Sequence, residues 1–459
     1  MSTSRMDFLK TAVLSGAALS LSNVPILGKK IIDLSDKETL SKVNKNVVGL
    51  RCEPIPTVRI GFIGLGMRGP DAVRRMMKLE GVEIKALCDL LPERVKAVNA
   101  AVKKEGRPEA IEYSGEEGWK KLCERNDIDL VYTCTPWFLH TPICVYAMNH
   151  GKHAVTEVPA ALTIKECWEL VNTSEATRRH CMMLENCCYD FFELATLNMA
   201  RQGLFGEVLH GECAYIHDLR SLKFDEKTGY QGMWRLKYSM KHTGNPYPTH
   251  GLGPVAQIMN INRGDKMDYL TSMSTNQFGM SLFAVNNFGA SSPEAKQTYK
   301  LGDMNTTLIR TNNGRTIMIQ HDTTCPHPYS RIHMISGTKG MARKYPQEQL
   351  AFEPDSESWL SPEKHKEMMD KYQHPLAKRI GEFAKKVGGH GGMDFIMDYR
   401  LIYCLRNGLP LDEDVYDAAT WSSIVELSEI SVLNSSNSIK VPDFTRGAWK
   451  TTKPIEVIS

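Results

Sequence analysis

Short apolar runs and longer helical patterns alternate along residues 57–185. The runs VRIGFI, VEIKALCD, DIDLVYTCTP and AVT have the composition of buried strands, and stretches with helical periodicity lie between them. Strands that alternate with helices predict an α/β fold with a doubly wound parallel sheet, the Rossmann arrangement. Such a sheet binds its ligands at the carboxyl ends of its strands.

The alternation of predicted strands and helices changes near Leu184, in the segment MLENCCYDFF. A chain of 459 residues, 42% of them hydrophobic, is long enough for two domains. We therefore predict a nucleotide-binding Rossmann domain over residues 57–185 and a substrate-binding α/β domain over residues 186–459. An N-terminal arm is predicted over residues 31–56.

The first thirty residues have the pattern of an export signal. Arg5 and Lys10 precede a mostly apolar run from Thr11 to about Leu21, which is too short to span a membrane. The segment SRMDFLK resembles a twin-arginine signal in which Met6 replaces the second Arg. The pattern predicts an exported, periplasmic protein without an integral membrane segment after signal removal. The alternative is an amphipathic or poorly ordered arm.

A glycine-rich turn follows the first predicted strand. Gly64, Gly66 and Gly69 have the spacing of the dinucleotide-binding fingerprint, in which a tight turn and a helix N-terminus bind a pyrophosphate. The second predicted strand ends at Asp89, twenty residues later. A carboxylate there accepts hydrogen bonds from the adenosine ribose and repels a 2′-phosphate. The pattern therefore predicts NAD as the cofactor.

A second candidate site is GNPYPTHGLGP, residues 244–254. Its three glycines and three prolines predict a shaped loop rather than the interior of a helix or strand. The loop would display Tyr247, Thr249 and His250 side by side. A phenol and an imidazole can both transfer protons, so this loop is a candidate for acid–base chemistry.

His390 lies in VGGHGGMDFIMDYR, between two pairs of glycines and ahead of a predicted helix. Glycines let a backbone approach a ligand closely. Two roles are open for His390: an acid that protonates a leaving oxygen, or a cap of the helix that follows.

The composition argues against nucleic acid and metal ions as ligands. The net charge is +3 and no basic block stands out, which argues against nucleic-acid binding. The twelve cysteines lack the paired spacings of metal sites, and we predict neither a bound metal nor a disulfide scaffold.

Three motifs of the chain resemble those of the Gfo/Idh/MocA oxidoreductase superfamily. They are GFIGLGMRG, TCTPWFLH and TEVPA, and the resemblance extends from about residue 57 to the C-terminus. It implies a Rossmann domain joined to an α/β domain with an open, largely antiparallel sheet. The superfamily usually has Glu-Lys-Pro where this chain has Glu157-Val158-Pro159, and in its dehydrogenases the Lys assists proton transfer. Val158 cannot do so, which argues against simple dehydrogenation.

Longer motifs are similar to glycoside hydrolase family 109, the NAD-dependent α-N-acetylgalactosaminidases. MWRLKYS and GNPYPTHGLGP, with WFLH, TEVPAA and GGHGGMD, carry this resemblance over nearly the whole chain. It implies nucleotide contacts from Met67, Arg68, Asp89, Trp137, Phe138, Leu139, His140, Glu157, Val158 and Asn186. It implies sugar contacts from Tyr215, Arg235, Tyr247, Pro248, Thr249, His250 and Tyr329.

The family resemblance implies hydrolysis without the usual pair of catalytic carboxylates. No such pair can be recognised in this sequence. Carbon 3 of the sugar is oxidised by NAD, loss of the carbon-2 proton expels the aglycone, water adds, and the hydride returns. Tyr247 and His250 are the predicted proton-transfer residues, and the carbon atom that each serves is left open. The expected partner is a glycan or glycoconjugate, and a homo-oligomer is left open.

Two other functions compete with hydrolysis. One is a net NAD-dependent sugar dehydrogenase of the same superfamily. The other is a non-catalytic sugar-binding protein gated by the nucleotide.

Overall fold

The computed structural model describes residues 31–34, 45–355 and 357–456. The predicted export signal lies outside these residues, as does part of the predicted N-terminal arm. Among the described residues, no helix combines the length and the apolar character needed to cross a membrane.

Six parallel strands form the first sheet, in the order β3-β2-β1-β4-β5-β6. The strands are β1 (Val58–Ile63), β2 (Val82–Asp89), β3 (Ile111–Ser114), β4 (Leu130–Thr133), β5 (His153–Thr156) and β6 (Cys181–Met183). Nearly every residue of β1, β4 and β5 is buried, as expected where helices cover both faces of a parallel sheet. These helices are α1 (Gly69–Met76), α2 (Pro92–Lys104), α3 (Gly118–Cys123), α4 (His140–Asn149) and α5 (Ile164–Thr177).

Eight strands form the second sheet, in the order β13-β12-β11-β7-β10-β9-β8-β14. They are β7 (Val208–Ile216), β8 (Met267–Ser274), β9 (Asn305–Thr311), β10 (Thr316–Asp322), β11 (Met334–Gly337), β12 (Gly340–Arg343), β13 (Gln349–Phe352) and β14 (Ile439–Lys440). Each neighbouring pair is antiparallel except β7 and β10. The predicted fold class, a Rossmann sheet followed by an open, largely antiparallel sheet, is confirmed.

The remaining helices follow β6 along the chain. They are α6 (Phe191–Arg201), α7 (Arg220–Phe224), α8 (Trp234–Lys241), α9 (Thr249–Ile258), α10 (Gly279–Phe288), α11 (Pro293–Lys296), α12 (Pro362–Tyr372), α13 (Pro375–Val387), α14 (Met393–Asn407), α15 (Val415–Ser422) and α16 (Ile424–Leu433). Short 3-10 helices span Trp137–Leu139, Asn186–Tyr189, Gln231–Met233, His390–Gly392 and Ala448–Lys450. The domain boundary between residues 185 and 186 stays a prediction.

The prediction of a loop over residues 244–254 is wrong for its second half, because α9 begins at Thr249. Two glycines of this segment allow close packing rather than a turn. A Cβ atom on Gly251 would lie 2.5 Å from the backbone N of Ala214 in β7, and one on Gly253 would lie 2.9 Å from a neighbouring side chain. Helix α9 therefore packs closely against β7, and glycine is required where they meet.

Candidate functional site

The predicted nucleotide residues follow the carboxyl ends of the parallel strands. Gly64 comes directly after β1, Asp89 ends β2, and Glu157 comes directly after β5. Trp137 follows β4 and Asn186 follows β6, each within a short 3-10 helix. The strand order reverses between β1 and β4, so these residues surround the position where such sheets bind dinucleotides.

The backbone of the glycine-rich turn fits a dinucleotide. Gly64 has a φ of +89°, and a Cβ on it would lie 2.7 Å from the carbonyl carbon of Cys134. A Cβ on Gly69 would lie 2.0 Å from the carbonyl oxygen of Gly64, so glycine is needed at both positions. Asp89 Oδ2 accepts a hydrogen bond of 2.6 Å from the backbone N–H of Leu65. The carboxylate that would bind the ribose thus also holds the turn.

Apolar side chains flank this turn. Met67 is 51% exposed and Phe138 is 55% exposed, while Leu139 is half-buried and Val158 is buried. Exposed apolar surface beside a polar turn suits the flat rings of a nucleotide. The residues present therefore fit NAD at this edge of the sheet.

A charged network joins four of the predicted residues. Arg68 donates to Glu157 Oε1 at 3.0 Å and to Asp394 Oδ2 at 3.1 Å, and its Nη1 lies 3.3 Å from His390 Nδ1. Asn186 Nδ2 donates to the other oxygen of Asp394 at 2.5 Å. Burial alone would raise the pKa of Asp394, but His390 and Arg68 hold it well below its ordinary value. Asp394 is therefore a buried carboxylate that ties α14 to the glycine turn.

His390 does not cap the helix that follows it. Its ring Nδ1 lies 3.0 Å from Asp394 Oδ2, and the side chain is 54% exposed. The cap residue of α14 is Gly392, and no side chain bonds to the free N–H groups there. The backbone between them has positive φ at Gly391 and Gly392, which turns the ring toward the carboxylate. The capping role is thus wrong, and the acid role stays a prediction.

His140 supports the backbone beneath the nucleotide edge. Its Nδ1 lies 2.7 Å from the carbonyl oxygen of Pro159 and its Nε2 lies 2.8 Å from that of Thr135. Burial lowers the pKa of His140, although the two carbonyls favour the protonated ring. Each ring nitrogen faces a carbonyl oxygen, and a neutral ring donates to one of them, so the side chain links the turns after β4 and β5.

A carboxylate–imidazole pair lies at the start of α9. His250 is in the first turn of this helix, and its Nδ1 lies 2.7 Å from Oε1 of Glu185. Glu185 is fully buried just after β6. Burial alone would raise the pKa of Glu185, but the adjacent His250 holds it below its ordinary value. A carboxylate bound to one ring nitrogen orients the imidazole and leaves Nε2 for proton transfer.

Tyr247 packs beside this pair. Its ring centroid lies 4.9 Å from that of His250, 4.6 Å from that of Tyr215 and 5.7 Å from that of Trp137. Burial raises the pKa of Tyr247 well above its ordinary value, although a nearby Arg235 opposes this. The side chain therefore remains a neutral phenol at neutral pH and can donate a proton or a hydrogen bond.

Arg235 lies among aromatic rings. Its guanidinium carbon is 4.4 Å from the ring centroid of Tyr230, 4.7 Å from Trp137, 4.9 Å from Tyr247 and 5.2 Å from Trp234. Its Nε is buried and has no hydrogen-bond partner within the part of the chain that the structure describes. Aromatic faces stabilise the cation without taking up the Nε–H donor. Arg235 is thus available to bind an oxygen of a ligand.

The other predicted sugar residues lie around the same space. Tyr215 shares a hydrogen bond of 3.0 Å with His217, and the ring of Tyr329 lies 6.2 Å from that of Tyr215. Arg331 donates to the Tyr329 hydroxyl at 3.2 Å. Pro248 directly precedes α9 as its cap residue. The structure therefore brings the predicted sugar residues together.

Sequence reasoning missed several contributors to this site. His217 and Tyr230 contact predicted residues but carry no local motif. Glu185 was missed as well, although its position two residues after the last strand of the first sheet was a usable signal. No pattern of spacing connects Glu185 with His250, which lies 65 residues away.

This fold and this nucleotide edge are those of proteins with an NAD-binding Rossmann domain. Levoglucosan dehydrogenase, in complex with NADH and levoglucosan, superposes with a TM-score of 0.62 at 17% identity, covering 84% of this chain and 100% of that chain. An NAD-binding oxidoreductase from Klebsiella pneumoniae has a TM-score of 0.62 at 15% identity, covering 84% and 99%. These similarities show the fold.

Two family models divide the chain. "Oxidoreductase family, NAD-binding Rossmann fold" matches residues 58–185, and "Glycosyl hydrolase 109, C-terminal domain" matches residues 189–451. An alpha-N-acetylgalactosaminidase from Bacteroides fragilis is 57% identical over 407 residues, which are 88% of this chain and 96% of that protein. A glycosyl hydrolase family 109 protein from Shewanella pealeana is 48% identical over the full length of both chains.

The chain belongs to glycosyl hydrolase family 109 and is an NAD-binding glycoside hydrolase. The predicted family, enzyme class and cofactor are confirmed. The individual site residues stay predictions.

Proposed function

We propose that the protein hydrolyses terminal α-linked N-acetylgalactosamine from a glycan or glycoconjugate, through oxidation, elimination, water addition and re-reduction without net redox change. The observation that carries the proposal is the Glu185–His250 pair beside Tyr247, next to the nucleotide edge. The name of the 57% identical relative supports the choice of sugar.

The carboxylates of this region support a mechanism other than direct displacement. Direct displacement by a glycosidase usually requires two free carboxyl groups, one on each side of the scissile bond. Glu185 is buried and bonded to His250, and Glu157 is paired with Arg68. Neither is placed as a free nucleophile or general acid, whereas an imidazole and a phenol are available for proton transfer.

When held by the residues of the nucleotide edge, NAD would supply a hydride acceptor for carbon 3 of the sugar and the donor that returns the hydride. His250, oriented by Glu185, takes the proton of a substrate hydroxyl or of carbon 2, which is acidic once carbon 3 is a ketone. Tyr247 remains protonated and suits the donor role. Arg235 donates to a hydroxyl or acetamido oxygen and so positions the ring. Loss of the carbon-2 proton expels the aglycone, and water then adds to the resulting double bond.

One assay distinguishes this function from its rivals. The purified protein is given a chromogenic α-N-acetylgalactosaminide with no added NAD, and aglycone and NADH are both followed. We expect many turnovers of aglycone release without accumulation of NADH. Formation of at most one NADH per bound NAD, without release of aglycone, would identify a dehydrogenase. Binding of the sugar with neither product would identify a binding protein.

Deuterium at carbon 2 or carbon 3 of the substrate tests the route itself. Oxidation and elimination break both carbon–hydrogen bonds, whereas direct displacement at the anomeric carbon breaks neither. We expect a primary isotope effect at one position or exchange of the carbon-2 proton with solvent. Hydrolysis with neither signal would contradict the mechanism.

We also propose that the protein is exported. The basic residues and apolar run of the first thirty residues support this proposal. Fractionation of cells that express the full chain, beside a variant lacking residues 1–30, would test it. Equal amounts of both proteins in the periplasm would refute the role of this segment.

A further inference from the structure

Three potential metal ligands meet at the start of α9. Glu185, Cys187 and His250 each offer one ligand atom, and these atoms all lie within 4.8 Å of one another. The spacing of the cysteines predicted no metal site. The cluster forms because α9 packs against the segment that follows β6, which brings His250 to two residues far away in the sequence.

The chemistry of the three groups suits one kind of cation. A thiolate, an imidazole and a carboxylate are the ligands that Zn²⁺ prefers, and three protein ligands leave a fourth position open. In a tetrahedral site with Zn²⁺ bonds of about 2.0–2.3 Å, the ligand atoms lie roughly 3.3–3.8 Å apart. The three groups therefore need side-chain shifts of about 1 Å to enclose the ion.

A second observation points to a ligand at this position. Glu185 is fully buried, yet its Oε2 has no hydrogen-bond partner among the described residues. The buried hydroxyl of Thr249 lies beside it and helps to lower the pKa of Glu185, but it forms no hydrogen bond of normal geometry within the described structure. Buried polar atoms without partners are costly, and a cation would satisfy the carboxylate. A thiolate and a carboxylate would also neutralise a dication, which suits a buried site.

We propose that Glu185, Cys187 and His250 bind a borderline-soft divalent cation such as Zn²⁺, and that the bound cation inhibits turnover. The ion displaces the proton shared by His250 Nδ1 and Glu185 Oε1, which lie 2.7 Å apart, and the proton of the Cys187 thiol. The first proton moves to Nε2 of the same ring, so the imidazole stays neutral, the thiol proton passes to solvent, and no electron is transferred. The side chain of His250 is 13% exposed, so one edge of the site reaches solvent. Inhibition rests on the proposed role of His250, whereas binding does not.

Cobalt tests the binding site directly. Co²⁺ is added to the NAD-bound full chain, and the absorption of a thiolate-to-cobalt charge transfer is recorded. We expect this absorption in the wild type and in Cys188→Ser, a control for the adjacent buried thiol, but not in Cys187→Ser. No absorption in the wild type, or the same absorption in Cys187→Ser, would overturn the proposal.

Zinc tests the inhibition. We expect Zn²⁺ to stop aglycone release and EDTA to restore it, while Cys187→Ser has wild-type activity without metal and needs at least about tenfold more Zn²⁺. Equal sensitivity of the two proteins would overturn the assignment of the ligand. If Cys187→Ser is poorly folded, the rise in Tm caused by Zn²⁺ is compared between the wild type and Cys187→Ala, and an equal rise would count against the site. If the wild type releases no aglycone at all, the proposed function fails while the cobalt spectrum still decides the site.

Discussion

Replacement of Glu185 by Gln tests the carboxylate–imidazole pair. The substitution preserves the size of the side chain and removes its charge. In the structure the carboxylate is fully buried and bonds to His250 Nδ1 at 2.7 Å, and it also accepts from the backbone N–H of Cys187 at 3.1 Å. An amide can keep the second bond, but it no longer stabilises the protonated imidazole.

The size of the effect on kcat follows from the loss of the hydrogen bond between Glu185 and the protonated imidazole of His250. A hydrogen bond to a charged group contributes about 1.5–3 kcal/mol. Each 1.36 kcal/mol corresponds to a factor of about ten in rate, so kcat should fall by about 10- to 150-fold. The KM should change little, because Glu185 lies behind His250 and the proposed sugar contacts are made by other residues.

The assay is aglycone release from a chromogenic α-N-acetylgalactosaminide, with bound NAD and the melting temperature measured on the same samples. Glu413→Gln is the matched control. Glu413 is also buried, and neither of its carboxyl oxygens has a hydrogen-bond partner in the described structure. Burial and the nearby Glu185 raise the pKa of Glu413 well above its ordinary value, so a neutral amide replaces a neutral acid. Wild-type kcat in Glu185→Gln, or an equal loss in both variants, would refute the orienting role.

Three further predictions concern other groups. His250→Ala should fold and keep its NAD but lose about 10²–10⁴-fold in turnover, and a fully active variant would remove His250 from the mechanism. Asp89→Ala should weaken NAD binding by about 1–3 kcal/mol, measured by calorimetry, and unchanged affinity would show that Asp89 does not bind the ribose. Lys223 is buried, donates to Thr323 Oγ1 at 2.9 Å, and has its pKa lowered to about 7 by burial and by Arg235. Because the unfolded chain holds this proton up to a pKa of about 10.4, the Lys223 contribution becomes more favourable as pH rises from 7 to 10. Lys223→Met should therefore raise the Tm most at or below pH 7 and less at pH 10, and a difference in Tm that grows with pH would contradict the assignment.

Much of the nucleotide half could be predicted because its signals are local. Gly64, Gly66 and Gly69 lie between a strand and a helix that are continuous in sequence, and Asp89 ends the next strand. The geometry of a βαβ unit is set within about thirty residues, so the spacing of glycines and a carboxylate determines where a dinucleotide fits. The resemblance to the family then extended the prediction to the sugar residues.

The helical start of α9 shows where local signals fail. Gly251 and Gly253 are typical of a turn, yet they lie in a helix because β7 and neighbouring side chains leave no room for a Cβ. The close approach of two elements that are distant in sequence overrides the local preference of glycine for turns.

Tertiary structure alone decided which groups meet in the site. Glu185 reaches His250 across 65 residues, and rings from residues 137, 230, 234 and 247 surround Arg235. The sequence by itself determined the fold class, the cofactor and the residue types available for proton transfer, since these follow from hydrophobic period and motif spacing. The pairing of a buried carboxylate with an imidazole depends on how α9 packs against β7 and the segment after β6. The pairing of a cation with aromatic faces depends on the contact of Trp234 in α8 with Trp137. That packing is set by contacts among residues far apart in the chain, which no local pattern records.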